Sequence, residues 1–526
     1  MTRRLIVVLL GALLTAAALP AAAATFRWAS ASDVASLDPY SRDETLQLSL
    51  LGNVYEPLIR RGRDLRLEPA LATGWRQVAP LVWRFELRPH VRFQDGTAFT
   101  AADVVFSYRR AIGDGSKIHL MLSAIRDVRA VDAQTVDIVT AIPDPMLPEE
   151  IVQWDIMSAA WCQTHGVEQV ADAATADGYA TDHANGTGPF VVESRVAGEE
   201  TVFVANPNWW DKSAGNVDRA IFQPIVDNTA RLAALTTGTV DMIVSVPPED
   251  IGSLMQTVGV RIVQTAGTRT MFLGFRHVRV VKIPYHPART NPLADRRVRA
   301  AFAQAIDENT IATTVMRGLA TPAGLIVGPG VRGFDPALNQ RPEYDPAAAR
   351  RLLAAAGYPN GFALTMDCPH DRYRNDAAIC VAVAANLAKI GVRVTLLAQP
   401  RSQFFTKLLD PARGSDLYLM GWRPANDDAL DALINLAATR NDSRHTGAFN
   451  VGGYSNPALD ALVVRARREN LGKGRAALLR AALAIVKDDV AYIPLHQPDV
   501  VWAVRNNVAV VQRDDETFAL RDVRVK

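Results

Sequence analysis

The first two dozen residues set the terms on which the rest of the chain can fold. Arg3 and Arg4 precede an apolar run from Leu5 to Leu19 and a small-residue stretch ending Ala22-Ala23-Ala24. This is the order of charged, apolar and cleavage regions in a secretory signal peptide. We read residues 1–24 as that peptide and expect the remainder to fold after export. A membrane anchor would need about 20 apolar residues with no small-residue site behind them. No later apolar run reaches that length, so the exported part is expected to be soluble.

Composition then narrows the class. With 49% hydrophobic and 21% charged residues, 33 Gly and 30 Pro, the chain is an ordinary globular protein, not collagen, coiled coil or bulk disorder. At about 150 residues per domain, its length predicts three to four domains. Removing Arg3 and Arg4 takes Lys+Arg from 57 to 55, equal to the 55 Asp+Glu. A neutral chain argues against nucleic acid or an anionic membrane surface as the main partner. The three cysteines, Cys162, Cys368 and Cys380, form no CxxC pair, so neither a thioredoxin-like motif nor a structural zinc site is supported. An oxidising compartment permits one disulfide and leaves one thiol.

Periodicity separates two kinds of segment. From Val82 to Arg88, Trp83, Phe85 and Leu87 alternate with Arg84, Glu86 and Arg88, the period of a half-buried strand. Thr100 with Asp103 three residues on opens a helix from Ala101 to Ile112, and Asp132-Ala133-Gln134 breaks Val128–Val139 into a hairpin. Beyond residue 290 the helices lengthen. Asp345-Pro346 starts one that Gly357 closes, Asp376–Ile390 is stopped by Gly391 before a strand from Val392 to Leu397, and Asn456-Pro457 and Gly474-Arg475 start two more. This succession reads as an α/β lobe over 271–495, preceded by a mixed unit over 57–185.

The motifs of bond-making chemistry are missing. No two of the nine His lie three to five residues apart, and there is neither a GxSxG elbow nor a GxxxxGK[ST] loop. Gly328-Pro329-Gly330-Val331-Arg332-Gly333 fits GxGxxG, but Pro329 removes a donor and Phe334-Asp335-Pro336 does not continue as a helix, so it reads as a loop. A large exported chain of this kind reads as a receptor. A secreted hydrolase would need a nucleophile beside a base, and a holdase a large exposed apolar patch.

A family likeness runs through the chain in order. It begins with Leu37-Asp38-Pro39, Val54-Tyr55-Glu56-Pro57-Leu58, Pro69–Ala72 before Trp75, Trp83–Arg88 and Phe93-Gln94-Asp95-Gly96. It continues with Gly186-Thr187-Gly188-Pro189-Phe190, Asn206-Pro207-Asn208-Trp209-Trp210, Gly238-Thr239-Val240-Asp241 and Asp295–Arg299. It ends with Ala355–Pro359, Asn450–Tyr454 and Ile493-Pro494-Leu495-His496. The chain resembles the family-5 extracellular solute-binding proteins, which serve peptide and related ABC importers.

The resemblance implies an α/β fold, a two-lobed periplasmic binding protein of the Venus-flytrap kind with mixed β-sheets and an inserted third domain. By position, lobe I is 25–56, 186–270 and 496–526, the inserted domain 57–185 and lobe II 271–495. It further implies a monomeric receptor in the periplasm, with no cofactor, metal or enzymatic activity. The receptor takes a peptide or peptide-like solute into the inter-lobe cleft and delivers it to the permease subunits of an ABC importer. A metal chelate, an opine or an oligosaccharide is the alternative cargo.

Peptide-binding members of the family anchor the ligand carboxylate on an Arg before an aromatic residue, a place that Arg372 and Tyr373 match here; a guanidinium offers a carboxylate a bidentate fork. The amine partner in such members is an Asp three residues after a Gly-Trp. Here Gly421-Trp422 has Ala425 at that spacing, and Asp427 and Asp428 follow. Either can serve the amine, or both can cap the helix that starts near Ala429. The resemblance also places Trp422 in the cleft wall and turns Ser41 to Thr45 toward the cleft. From the local pattern, Cys368 ends a strand and Cys380 lies one turn into the next helix, so a disulfide can join them; two buried thiols are the alternative.

Overall fold

A computed structural model describes residues 24–41, 44–119, 121–171, 178–244, 246–278, 280–281, 289–410, 415–424 and 426–526. The signal-peptide reading, up to Ala23, lies outside these residues, as do Ala425 and two residues of the Ser41–Thr45 stretch. The molecule has two lobes carried on one continuous path of strands. Along that path run, in order, Arg393–Gln399, Ala363–Pro369, Leu417–Trp422, Thr270–Phe275, Tyr492–Arg505, Met242–Val244, Ala24–Ser30, Val217–Pro224, Glu200–Ala205 and Phe190–Val196. Parallel and antiparallel pairings mix: Ala24–Ser30 lies parallel to Val217–Pro224, which lies antiparallel to Glu200–Ala205.

Tyr492–Arg505 ties the lobes together. Its first part pairs with Thr270–Phe275 and Ala320–Pro322, and its second part with Val260–Ala266 and Met242–Val244. The apolar cores divide along this strand. Ile493 and Leu495 belong to the core of the second lobe, whereas Val500, Trp502 and Val504 pack with Trp28 and Phe222 in the first. The residues between, His496 to Asp499, carry the crossing, and the consecutive strands Val260–Ala266 and Thr270–Phe275 make a second one. Two crossings between separate cores leave the lobes able to rotate without tearing either core.

The four antiparallel strands Ala72–Ala79, Val82–Leu87, Thr135–Thr140 and Ile125–Asp132 form their own sheet, with only Ala133-Gln134 between the last two in sequence. The helix Ala101–Ala111 packs on it, and its start is fixed by reciprocal bonds between Thr100 and Asp103. Phe85, Val104 and Ile138 share one core with Trp28 and Phe222, so this unit is continuous with the first lobe. In the second lobe, Asp345 caps Pro346–Ala355 and Asn456 caps Pro457–Arg468. A disulfide joins Cys368, in the strand Ala363–Pro369, to Cys380 in the helix Asp376–Ala388, with Cα atoms 6.6 Å apart. Cys162 is buried, and burial pushes its thiol up to about 12. Among the described residues, no helix is long and apolar enough to cross a membrane.

Candidate functional site

Two of the recurring motifs converge on a side chain of a third, Glu56. Thr187 donates its hydroxyl to the Glu56 carboxylate at 2.9 Å, Trp210 its indole N–H at 2.8 Å and Trp209 its own at 3.1 Å. Gln94 ties the same region, donating its backbone N–H to the Gly186 carbonyl and its amide to the Phe190 carbonyl. Gly186 has to be glycine, because a Cβ there would lie 1.9 Å from the Val54 carbonyl oxygen. The motif thus lets two backbones meet so that Thr187 reaches Glu56. Burial pushes the Glu56 carboxyl above its ordinary range, and the three donors hold it back.

Beside Glu56 opens a cavity of about 120 Å³ that both lobes line. The first lobe and the inserted unit supply Ser49, Tyr55, Glu56, Arg61 and Asp155, and the C-terminal segment supplies Arg513, Asp515, Thr517 and Arg521. The second lobe closes it with Arg423 and Asp427. A larger cavity, about 260 Å³, lies wholly inside the second lobe between Ala300, Leu325, Val486 and Tyr492. Nothing from the first lobe touches that one, so of these two cavities, among the described residues, the smaller is the one placed to grip a solute from two sides.

Most charges around the cavity are already matched. Arg513 pairs with Asp515 at 2.5 Å, and Arg60 with Asp211 at 2.8 Å. Arg61 sits 3.2 Å from Asp427 and 3.0 Å from Glu149. Glu149 in turn meets Arg332 at 3.0 Å, Arg332 meets Asp428 at 3.4 Å, and Asp428 meets Arg475 at 3.1 Å. This chain of ion pairs runs from the inserted unit into the core of the second lobe, so it bridges the lobes. Arg423 and Arg521 are different: among the described residues neither guanidinium makes a hydrogen bond or ion pair, Arg521 lying over the Trp209 ring at 5.9 Å and Arg423 just past the end of the strand Leu417–Trp422. Crevices beyond strand ends are where open α/β sheets take ligands.

The residues expected at the site are only partly brought together. Asp427 lines the cavity, 7% exposed, with one carboxylate oxygen on Arg61 and the other without a hydrogen-bond partner. Burial pushes its carboxyl up, against the pull of Arg61 and Arg423. Its backbone is left-handed, φ 50°, which Asp tolerates better than most residues. Asp428 lies away from the cavity. It is 0% exposed, caps the helix Ala429–Ala432 through the Leu430 N–H, and spends both oxygens on Arg475, which leaves none for an amine.

Arg372 does not line the cavity. Its guanidinium lies over the Tyr373 ring at 5.2 Å and helps to lower the Glu516 carboxyl. Burial pushes Glu516 up, but Arg269, Arg423 and Arg372 outweigh it. The carboxylate that Arg372 faces is therefore one of the protein's own. Tyr373 donates its hydroxyl to the Gly421 carbonyl at 3.3 Å. Trp422 packs edge-on against Phe449 at 5.0 Å and donates its indole N–H to Asp431, which ties it to the second lobe's own packing. Ser41 donates to the Asp38 carbonyl beside the buried Asp38–Arg110 pair, and Thr45 begins the helix Thr45–Leu51. From that stretch it is Glu44 that reaches across, 3.4 Å from Arg401.

Sequence reasoning missed Arg423, Arg61, Arg332 and Asp155. Arg332 sits in the Gly328–Gly333 segment, which is a loop as expected. Gly333 adopts φ 95° there, where a Cβ would press on Leu479, and the turn aims Arg332 at Glu149. The only signal available for Arg423 was its place directly after Gly421-Trp422.

The family model of the bacterial extracellular solute-binding proteins, family 5, matches residues 66–444. The chain belongs to this family. The solute-binding protein is 26% identical over 487 residues to the glutathione-binding protein GsiB of Shigella boydii serotype 4, covering 91% of this chain and 90% of that one. Its fold matches DppA from Helicobacter pylori, an ABC transporter-associated periplasmic binding protein in complex with the peptide STSA. The TM-score is 0.79 at 22% identity, covering 96% of this chain and 98% of that one. It matches equally NikZ from Campylobacter jejuni in complex with Ni(L-His), with TM-score 0.76 at 19% identity over 94% and 96%. The fold therefore fixes a solute-binding protein with a cleft between lobes, and the cleft's own residues must supply its specificity.

Proposed function

We propose that this solute-binding protein works in the periplasm as a monomer, binds a peptide or peptide-like solute between its lobes and hands it to the permease of an ABC importer. Binding and release suffice for that task, and no covalent step is part of it. In this reading lobe I is 25–56, 186–270 and 496–526, the inserted domain 57–185 and lobe II 271–495. GsiB and the DppA complex, both named for peptide-like ligands, support the cargo class.

The observation that carries the reading is Arg423, a guanidinium with no direct ion pair or hydrogen bond among the described residues, held only by the longer-range fields of Asp427, Asp514, Asp515 and Glu516, that closes a cavity lined from both lobes. A ligand carboxylate would complete it in fork geometry. Asp427 offers its unbonded oxygen to a ligand N–H.

Native mass spectrometry of the freshly purified protein is expected to show a co-purified solute that carries a carboxylate. Arg423→Ala should weaken that solute at least tenfold, because truncating one partner of a desolvated pair costs about 2–5 kcal/mol and 1.4 kcal/mol is already tenfold. Amidating the carboxylate should mimic the mutation in the wild type and add little in the variant. Equal affinity of Arg423→Ala and wild type would remove the carboxylate anchor.

A further inference from the structure

One carboxyl at the cavity stands without a partner. Asp155 lines it, is 6% exposed, and among the described residues its side chain makes no hydrogen bond or ion pair. Its main chain, by contrast, is pinned to the first lobe. Asp155 bridges Pro57, the Ile156 N–H donates to the Glu56 carbonyl at 3.0 Å, and the Tyr40 hydroxyl donates to the Asp155 carbonyl at 2.6 Å. The backbone is held while the charged end is left over.

An unpaired buried carboxyl costs the fold unless a partner arrives. Asn would satisfy the same space at no such cost. Burial pushes the Asp155 carboxyl up to about 7, Glu56 adds to the rise, and no guanidinium opposes it. Among the described residues no arginine at the cavity forms an ion pair with Asp155.

The other acids at the cavity already have partners, although Asp427 keeps one oxygen unbonded. Asp427 has Arg61 at 3.2 Å, so an ammonium approaching it also meets a guanidinium. Asp515 has Arg513. Glu56 already accepts from Thr187, Trp209 and Trp210 and contributes only its field. The unspent charges are therefore a carboxyl fixed to the first lobe, Asp155, and two guanidiniums, Arg423 on the second lobe and Arg521 in the C-terminal segment.

We propose that Asp155, with Glu56 behind it, is the subsite for a cationic group of the cargo, a primary ammonium, on the wall opposite Arg423. The assignment rests on the peptide reading above and sharpens it. The cargo is a zwitterion whose two charges are taken by different lobes, so that only a closed protein holds both. It also moves the amine from the acids that follow Gly421-Trp422 to the segment where the inserted unit returns to the first lobe.

Calorimetric titration with alanine peptides of two to four residues tests this, each peptide free, N-acetylated or C-terminally amidated. Wild type should bind a free peptide and lose at least tenfold on N-acetylation. Asp155→Asn should bind the free peptide at least tenfold more weakly than wild type, be indifferent to N-acetylation, and still lose affinity on amidation. Asp155→Glu should keep the discrimination against N-acetylation. Two results overturn the subsite alone: an Asp155→Asn protein that rejects the N-acetyl peptide as strongly as wild type does, or a wild type that senses amidation but not acetylation. A wild type that binds none of these peptides overturns the peptide reading and the subsite with it.

Discussion

Two groups of charge meet at this cleft, and they are built on opposite principles. From Arg61 through Glu149, Arg332 and Asp428 to Arg475, every charge has a counter-charge within 3.4 Å. At the other end Asp155 has none, and Glu56 is hydrogen-bonded by neutral donors, with Arg60 acting on it only through its field. A paired chain of ions is permanent structure, whose Coulomb energy offsets its own desolvation. An unpaired buried acid is a site held ready for a ligand that supplies the missing charge. The contrast separates the residues that bring the lobes together from those that read the solute.

Breaking the paired side should have the largest effect. Asp428→Ala leaves Arg475 buried without its acid and removes a helix cap, so stability measured by chemical denaturation should fall by about 3–5 kcal/mol. A loss below 1 kcal/mol would mean that the chain of pairs is ornamental and the comparison void.

The unpaired side should respond in the opposite direction. The folded Asp155 carboxyl is held at about 7 against an ordinary 3.8, so the folded state binds its proton more tightly than the unfolded chain. The stability this group allows is therefore complete below about pH 4 and falls as pH rises through 7, by as much as roughly 4 kcal/mol once both states are ionised. Asp155→Asn removes that slope, and without ligand it should melt higher than wild type at pH 8 and close to it at pH 4. Burial raises the Tyr40 hydroxyl, which stays protonated across this range, and Glu56 acts on Asp155 through its field, so the difference between the two curves reports the Asp155 carboxyl together with its coupling to Glu56. Coincident curves would show that Asp155 already has a partner.

The smallest effect belongs at the rim. Glu44 and Arg401 also bridge the lobes, but both side chains are more than two-fifths exposed, and such pairs contribute about 0–1 kcal/mol. Glu44→Gln should leave stability and affinity within twofold. A tenfold loss of affinity would place the gripping contacts at the rim and not in the cavity.

Local structure was legible where its cause is local. The capping box at Thr100 and Asp103, the Asp345-Pro346 and Asn456-Pro457 helix starts and the Ala133-Gln134 turn are each set within a few residues. Asp428 as a helix cap is of the same kind. The site was less legible because its residues meet only through the fold. Nothing near Glu56 in sequence announces Thr187, Trp209 and Trp210. Arg423, Asp155 and Arg332 stand in irregular segments where no period marks them, and Arg332 lay in a stretch legible only as a loop. The expectation for Arg372 came from its neighbour in sequence, Tyr373, while its electrostatic partner, Glu516, comes from the far end of the chain.

The central claim is that the two lobes close on a solute held by both. Small-angle X-ray scattering of the wild type, alone and saturated with the solute that native mass spectrometry identifies, tests it most directly. The account expects a smaller radius of gyration with ligand, and the same contraction should be lost in the Arg423→Ala, Asp155→Asn double variant at the same ligand concentration. Superimposable curves for the free and saturated wild type would contradict it.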